Sequence, residues 1–293
     1  MESQNKTWKD SIIYGKPKLV RNRNVVKDNS DKYVSPRILG RLGNQMFQIA
    51  TAYSLALDNK TDVFVSLDKG IYKSIDGESA PPTRYKDNIF RHLKFIDSIE
   101  NYDTWNEKTY KYEPIRHNFD KNLYINGYFQ SEKYFKHNRD FILDLYKPND
   151  FIKNYIQEKY GNLLKSSVSV HIRRGDRLNF SDYMPVTSLD YYKNALLQFP
   201  DVENIVILTD DKEWTKKVFR DVKFHVIENE SDYIDLYIMS MCENNIIANS
   251  TFSWWGAWLN RNNSKTVIAP KQWYNDHVEH DIEDLIPKGW LVI

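Results

Sequence analysis

The chain has 293 residues, enough for about two domains at roughly 150 residues each, and 41 Lys and Arg against 40 Asp and Glu leave a formal net charge of +1. That balance excludes the basic excess through which a generic nucleic-acid binder gains affinity by counterion release. Charged residues at 28% and hydrophobic ones at 41% fit a globular chain with a sizeable core. Tyr 20, Phe 14 and Trp 8 make 42 aromatic residues, or 14%, an excess that serves core packing first and sugar or base stacking second. The single cysteine, Cys242, has no intrachain partner, which suits a reducing compartment. The opening MESQNKTWKD lacks the apolar stretch of a secretory signal, and no run reaches the roughly 18 apolar residues of a membrane span. The expected location is therefore cytoplasmic, and the sequons at Asn5, Asn179, Asn249 and Asn262 read as chance matches.

Residues 1–35 are polar and basic and read as an extension or docked arm. From Ser35 an apolar run meets Gly40 and Gly43. Met46, Ala50, Tyr53 and Leu57 then fall on one face of a predicted helix over 44–60. VFVSL (63–67) is the next strand candidate, and 70–120 shows no clean period, with Pro81-Pro82 marking a loop. NLYINGYFQ (122–130) reads as a strand entering a turn. Helical patterns follow over 131–146 and 150–160, interrupted at Lys147-Pro148, and Gly161 marks a domain boundary. The second half is more regular. Val/Ile-rich strands at 167–172, 204–208, 223–227, 245–248 and 266–269 alternate with helices near 188–199, 211–220, 231–243 and 251–261. Such βαβ alternation predicts a parallel sheet with helices on both faces. The expected architecture is α/β, with two Rossmann-like domains at 36–160 and 161–293 after the extension.

Four stretches carry chemistry. VSVHIRRGDR (168–177) delivers His171, Arg173, Arg174 and Asp176 at the carboxyl end of a strand, where doubly wound sheets bind ligands. Adjacent guanidinium forks there would clamp a diphosphate; the plainer reading is an Arg–Asp bridge with one solvated arginine. NIIANSTFSWWGAWLN (245–260) ends a strand in Asn249-Ser250-Thr251, an N-cap signal, and opens an aromatic helix. Its start offers backbone N–H groups and a positive dipole end to an anion, while Phe252, Trp254, Trp255 and Trp258 pack behind it. NIVILTDDKEW (204–214) places Asp210 and Asp211 at another strand end, where they would receive guanine or ribose hydrogen bonds, or where one would cap the next helix. GRLGNQMFQIA (40–50) is a glycine turn entering a helix, serving either close backbone approach to a ligand or a tight strand–helix turn. The chain has no D-x-D triplet, no zinc-type Cys/His cluster and no G-x-S-x-G elbow.

In this order, GRLGNQMFQ, INGYFQSEKYF, VHIRRGDR, ILTDDKEW and SDYIDLYIMSMCENNIIANSTFSWWGAWLN resemble the α-1,2-fucosyltransferases of glycosyltransferase family 11 over roughly residues 37 to 275. The resemblance implies a GT-B fold facing a cleft, GDP-β-L-fucose as donor, and inversion to an α-linked fucoside on the 2-hydroxyl of a galactose-containing acceptor. It also implies no metal or other cofactor, while the charge balance and the lack of a long apolar run leave neither nucleic acid nor a membrane span as an expected partner. By position, Arg173 would hold the β-phosphate, Arg174 would support it, and His171 would lie near the guanosine. Asp210 and Asp211 would match an acidic pair tied to guanine recognition, and Asn249, Ser250, Thr251 and Phe252 would lie at the donor, with Ser250 and Thr251 on its diphosphate. Asp176 is the first candidate for general base and Asp182 the second, Asp176 serving otherwise to orient the arginines. The alternatives are a transferase of the same superfamily with another GDP-sugar or linkage, and a non-catalytic GDP-sugar or glycan binder.

Overall fold

The structure is a computed structural model that describes residues 32–68, 81–116 and 120–293. Most of the expected N-terminal extension lies outside the described residues, and β1 (Tyr33–Pro36) already begins within its last residues. The chain continues through α1 (Leu42–Asp58), β2 (Asp62–Val63), β3 (Val65–Ser66), β4 (Phe95–Ile96), β5 (Tyr102–Asn106) and β6 (Asn122–Asn126). The helical pattern over 131–146 resolves into short turns at Glu132–Tyr134 and Lys136–Asn138 before α2 (Arg139–Leu145), with α3 (Asp150–Tyr160) following. Then come β7 (Ser167–Ile172), α4 (Leu189–Leu196), β8 (Asn204–Thr209), α5 (Lys212–Val218), β9 (Phe224–Val226) and α6 (Asp232–Met241). The chain closes with β10 (Asn244–Ile246), α7 (Thr251–Leu259), β11 (Val267–Ala269) and β12 (Leu291–Val292).

Two larger sheets form, ordered β2-β1-β6-β5 and β12-β11-β10-β7-β8-β9, and their ladders are all parallel. This is the expected α/β architecture. The run 63–67 does not form one strand: it splits at Phe64, β2 joining β1 and β3 pairing β4 in a separate ribbon. Among the described residues, no helix is long and apolar enough to cross a membrane.

Strand alternation sorts β7 into two faces. Val168, Val170 and Ile172 pack with Tyr192, Ile207 and Phe219 on one side. Ser167, Ser169 and His171 face the other, buried side, where Ser169 accepts a hydrogen bond from Asn245 Nδ2 at 2.7 Å. A larger apolar core runs from Val34 of β1 through Phe47 of α1 to Trp254 of α7, joining both sheets. Trp254, Trp255, Trp258 and Trp273 are its largest members, and Phe47 lies 4.4 Å from Trp254 between ring centroids. Phe252 packs at the margin of this core. It is only partly buried, its ring 5.5 Å from that of His171.

Candidate active site

The order of the second sheet explains why chemistry gathers at one edge. From β7 the chain winds outward to β8 and β9, then crosses back to place β10 on the other side of β7. The connections after β7 and β10 therefore diverge and leave a crevice at the strands' carboxyl ends. Arg173 leaves β7 on one side of this crevice, Ser250 and Thr251 follow β10 on the other, and Asp210 follows β8, whose Thr209 pairs in register with Ile172.

The Arg173 guanidinium meets Asp176 Oδ2 at 2.6 Å and Asp210 Oδ2 at 2.9 Å. Two of its five N–H donors suffice for these contacts, so the rest of the fork remains for a ligand. Asp210 Oδ1 accepts the backbone N–H groups of Arg174 and Gly175 at 2.8 and 3.0 Å, tying the arginine loop to β8. Burial acts to raise the Asp210 pKa, but Arg173 and those two N–H groups outweigh it and hold the carboxyl below its ordinary range. Asp211 is likewise engaged internally: it accepts the Trp214 N–H at 3.2 Å as the cap of α5, and Arg174 Nε at 3.0 Å. Arg174 lies over the Trp214 ring at 4.6 Å. The acidic pair thus braces the two arginines, and Asp211 takes the helix-capping role.

Asp176 sits between the halves of the molecule. Its Oδ2 also faces Arg41, the residue before α1, at 3.4 Å, whereas its Oδ1 is buried without a hydrogen-bond partner. The contacts favour orientation of arginines, and Oδ1 alone is left to take a proton. Asp182 is exposed on the following loop. His171 is buried, with Nδ1 unpartnered. Desolvation first, then the neighbouring Arg173, drives its pKa well below the usual histidine value, so the ring is neutral at physiological pH.

The start of α7 differs in detail from the capping signal. Ser250 occupies the N-cap position, but its hydroxyl makes no capping bond, which leaves first-turn N–H groups for an anion. Thr251 Oγ1 donates instead to Asn44 Oδ1 of α1 at 2.9 Å. The Asn249 side chain is engaged within the protein. It is fully buried and donates to the carbonyls of Pro185 (2.9 Å) and Trp273 (3.1 Å) while accepting from Thr187, so its amide is spent on bracing loops. The glycine turn is also explained: α1 and α7 abut at their amino ends, and a Cβ on Gly43 would lie 2.6 Å from the Phe252 nitrogen. Its close backbone approach is to α7.

Three features escaped the sequence reading. Arg177, on the same loop, is half-buried, with no carboxylate in ion-pair contact among the described residues. Its Nε lacks a partner, one terminal nitrogen meets the Asn249 carbonyl at 3.4 Å, and the other meets Met184 Sδ. Desolvation, then Arg173, lowers its pKa. Its position in RRGDR was visible; its burial was not. Asp235 lies in the first turn of α6, again after a parallel strand, with a buried, unpartnered Oδ1. Burial and then Glu230 push its carboxyl up to about 7, against the pull of Lys212. Finally, Tyr110 and Tyr128 of the first half gather with Tyr274 and His280 of the second, Tyr110 lying 4.0 Å from His280 between centroids. Tyr183 joins them through Tyr274 and a hydrogen bond to His280, close enough to Arg177 to feel its charge.

Known proteins similar to this chain are glycosyltransferases. The chain is 32% identical to the O-antigen biosynthesis glycosyltransferase WbnK of Escherichia coli, over 80% of this chain and 93% of that one. It is 29% identical to an alpha-1,2-colitosyltransferase of the same species, over 89% and 98%. A galactoside 2-alpha-L-fucosyltransferase of Caenorhabditis elegans is 30% identical, over 58% and 52%. Among solved structures, fucosyltransferase NodZ from Bradyrhizobium superposes with a TM-score of 0.51 at 13% identity, covering 77% of this chain and 91% of its own. That likeness shows the shared GT-B fold. The sequence pattern of glycosyl transferase family 11 matches residues 13–293, well beyond the motifs themselves. The chain belongs to glycosyl transferase family 11.

Proposed function

We propose that this family 11 glycosyltransferase transfers L-fucose from GDP-β-L-fucose to the 2-hydroxyl of a galactose-containing glycan, inverting the anomeric carbon. One observation carries the reading: Arg173, Arg177 and the uncapped start of α7 converge at the crevice between β7 and β10. Cleavage of the bond between the sugar and the β-phosphate leaves negative charge on GDP. Preorganised donors at that position are each worth about 3 kcal/mol of barrier. Arg173 supplies the free part of its fork, Arg177 a half-buried cation, and α7 its backbone N–H groups. His171 brings an unpartnered ring nitrogen to the same region, suited to the nucleoside. The acceptor hydroxyl attacks from the opposite side of the sugar, and its proton passes to a base as the new bond forms. Asp176 Oδ1 is the candidate for that base.

The tyrosine cluster supplies the acceptor side, since its faces suit a pyranose ring and its phenols suit sugar hydroxyls. The reading places the enzyme in the cytoplasm, in keeping with a single, deeply buried cysteine whose thiol burial pushes up to about 12. A second reading, transfer of another sugar from its GDP derivative, is favoured by the relative named as a colitosyltransferase. A panel of GDP-sugars with a β-galactoside acceptor, read by mass spectrometry and NMR linkage analysis, separates the two. The expected product is an α-fucoside at O2 formed from GDP-fucose. Transfer from another GDP-sugar with none from GDP-fucose would replace the first reading by the second.

A further inference from the structure

The opposite edge of the second sheet carries a separate basic basin. A cavity of about 590 Å³ is lined by Lys136, Arg139, Lys265 and Lys288, with Trp258 and Trp290 in its wall. Lys265 precedes β11, and Lys288 and Trp290 precede β12, so the basin lies at the strands' amino ends. Arg173, Asp210 and Ser250 follow the carboxyl ends of theirs. Helix α7 spans the gap: Thr251 begins it at the crevice, and Trp258 stands near its far end, about 10 Å along the axis.

Four cationic side chains here face a single lining carboxylate, Glu132, which itself accepts the Trp258 indole N–H at 3.1 Å. None of the four is in ion-pair contact with a carboxylate among the described residues. The remaining basic lining group, His137, is paired with Asp58 at 2.8 Å. Arg139 is held in place, its guanidinium 4.1 Å from the Trp258 ring centroid and 2.9 Å from the Trp258 carbonyl. Lys265 is mostly buried and donates to the Asn260 carbonyl. Burial, then Arg139, pushes its amine down to about 8, with Glu132 opposing. Lys136 and Lys288 stand exposed at the rim. A pinned guanidinium fork, a half-desolvated amine and two mobile ammonium groups suit a multiply charged tetrahedral anion, which would relieve their mutual repulsion.

We propose that this basin is a second binding site, remote from the donor crevice, for a phosphate-bearing ligand. Two sources share that chemistry, a dissolved phosphate compound and the headgroup of an anionic lipid. The double substitution Lys136→Glu with Lys288→Glu reverses charge at two exposed rim positions and leaves the core untouched. Tryptophan fluorescence of the full chain, titrated with inorganic pyrophosphate under saturating GDP, tests the dissolved source. Cosedimentation with phosphatidylcholine vesicles, with and without phosphatidylglycerol, tests the lipid source. Binding in either arm that weakens by about tenfold or more in the double variant, with GDP affinity unchanged, supports the site and names its source. No binding in either arm, or equal binding by both proteins, overturns it. A GDP titration alongside reports on the donor crevice separately, and the two sites stand or fall independently.

Discussion

Arg177 poses the sharpest question at the scale of the residue. A guanidinium withdrawn from water without a carboxylate partner is a cost to folding, and here its Nε is left with no hydrogen bond at all. A diphosphate would complete it. Replacing Arg177 by Met keeps the volume and removes the charge, so thermal stability should stay level or rise. The apparent KM for the donor should worsen by roughly ten- to a hundredfold, the scale of a charged hydrogen bond. A fall in melting temperature with donor kinetics intact would mark Arg177 as merely structural. The sequence placed Arg173, Arg174, Asp176, Asp210 and Asp211 at strand ends because apolar runs stop visibly before them. It left open whether the aspartates face ligand or arginine, since that depends on a contact 36 residues away, from the Arg174 nitrogen to Asp210.

Helices α1 and α7 are the elements that unite the two sheets at the crevice. Gly40, at φ +70°, turns the chain into α1, and Gly43 lets the first turn of α1 lie against that of α7. Behind this contact Phe47 packs on Trp254 and Phe135 stacks on Trp255, 5.3 Å between centroids. The tryptophans of α7 therefore fix the position of a proposed phosphate-binding helix start. Gly43→Ala puts a methyl group 2.6 Å from α7 backbone atoms, a clash that only a shift of one helix can relieve. The expected result is destabilisation of about 1–3 kcal/mol and a marked loss of transfer, measured by thermal denaturation and product formation. Wild-type values in both assays would contradict this account of the glycine turn. The pattern of Met46, Ala50 and Tyr53 announced α1, but its partner begins more than 200 residues later, and Thr251 to Asn44 is a contact that periodicity cannot reveal.

For the molecule as a whole, the second half was the more legible because its apolar strand runs from β7 to β11 are separated by helical segments of regular length. The first half hides its sheet in short strands. β2 and β3 have two residues each and separate partners, β4 is equally brief, and such lengths leave no period to read. Global stability should also report the buried carboxyl of Asp235. Burial raises its pKa from the ordinary carboxylate range to about 7. The folded state thus holds a proton that the unfolded state loses first, and this contribution, complete below about pH 4, disappears as pH rises through about 7. Asp235→Asn should therefore raise the melting temperature relative to wild type at pH 8 more than at pH 5; the reverse order would show the carboxyl to be satisfied when ionised. The central claim, that the crevice between β7 and β10 holds the diphosphate of a GDP-sugar through Arg173, is tested most directly by calorimetric titration of GDP and GMP into wild type and Arg173→Ala. The account predicts that wild type prefers GDP by at least about tenfold and that the variant, still folded, loses this preference. Equal affinity for GDP and GMP in wild type, or an undiminished preference in the variant, would contradict it.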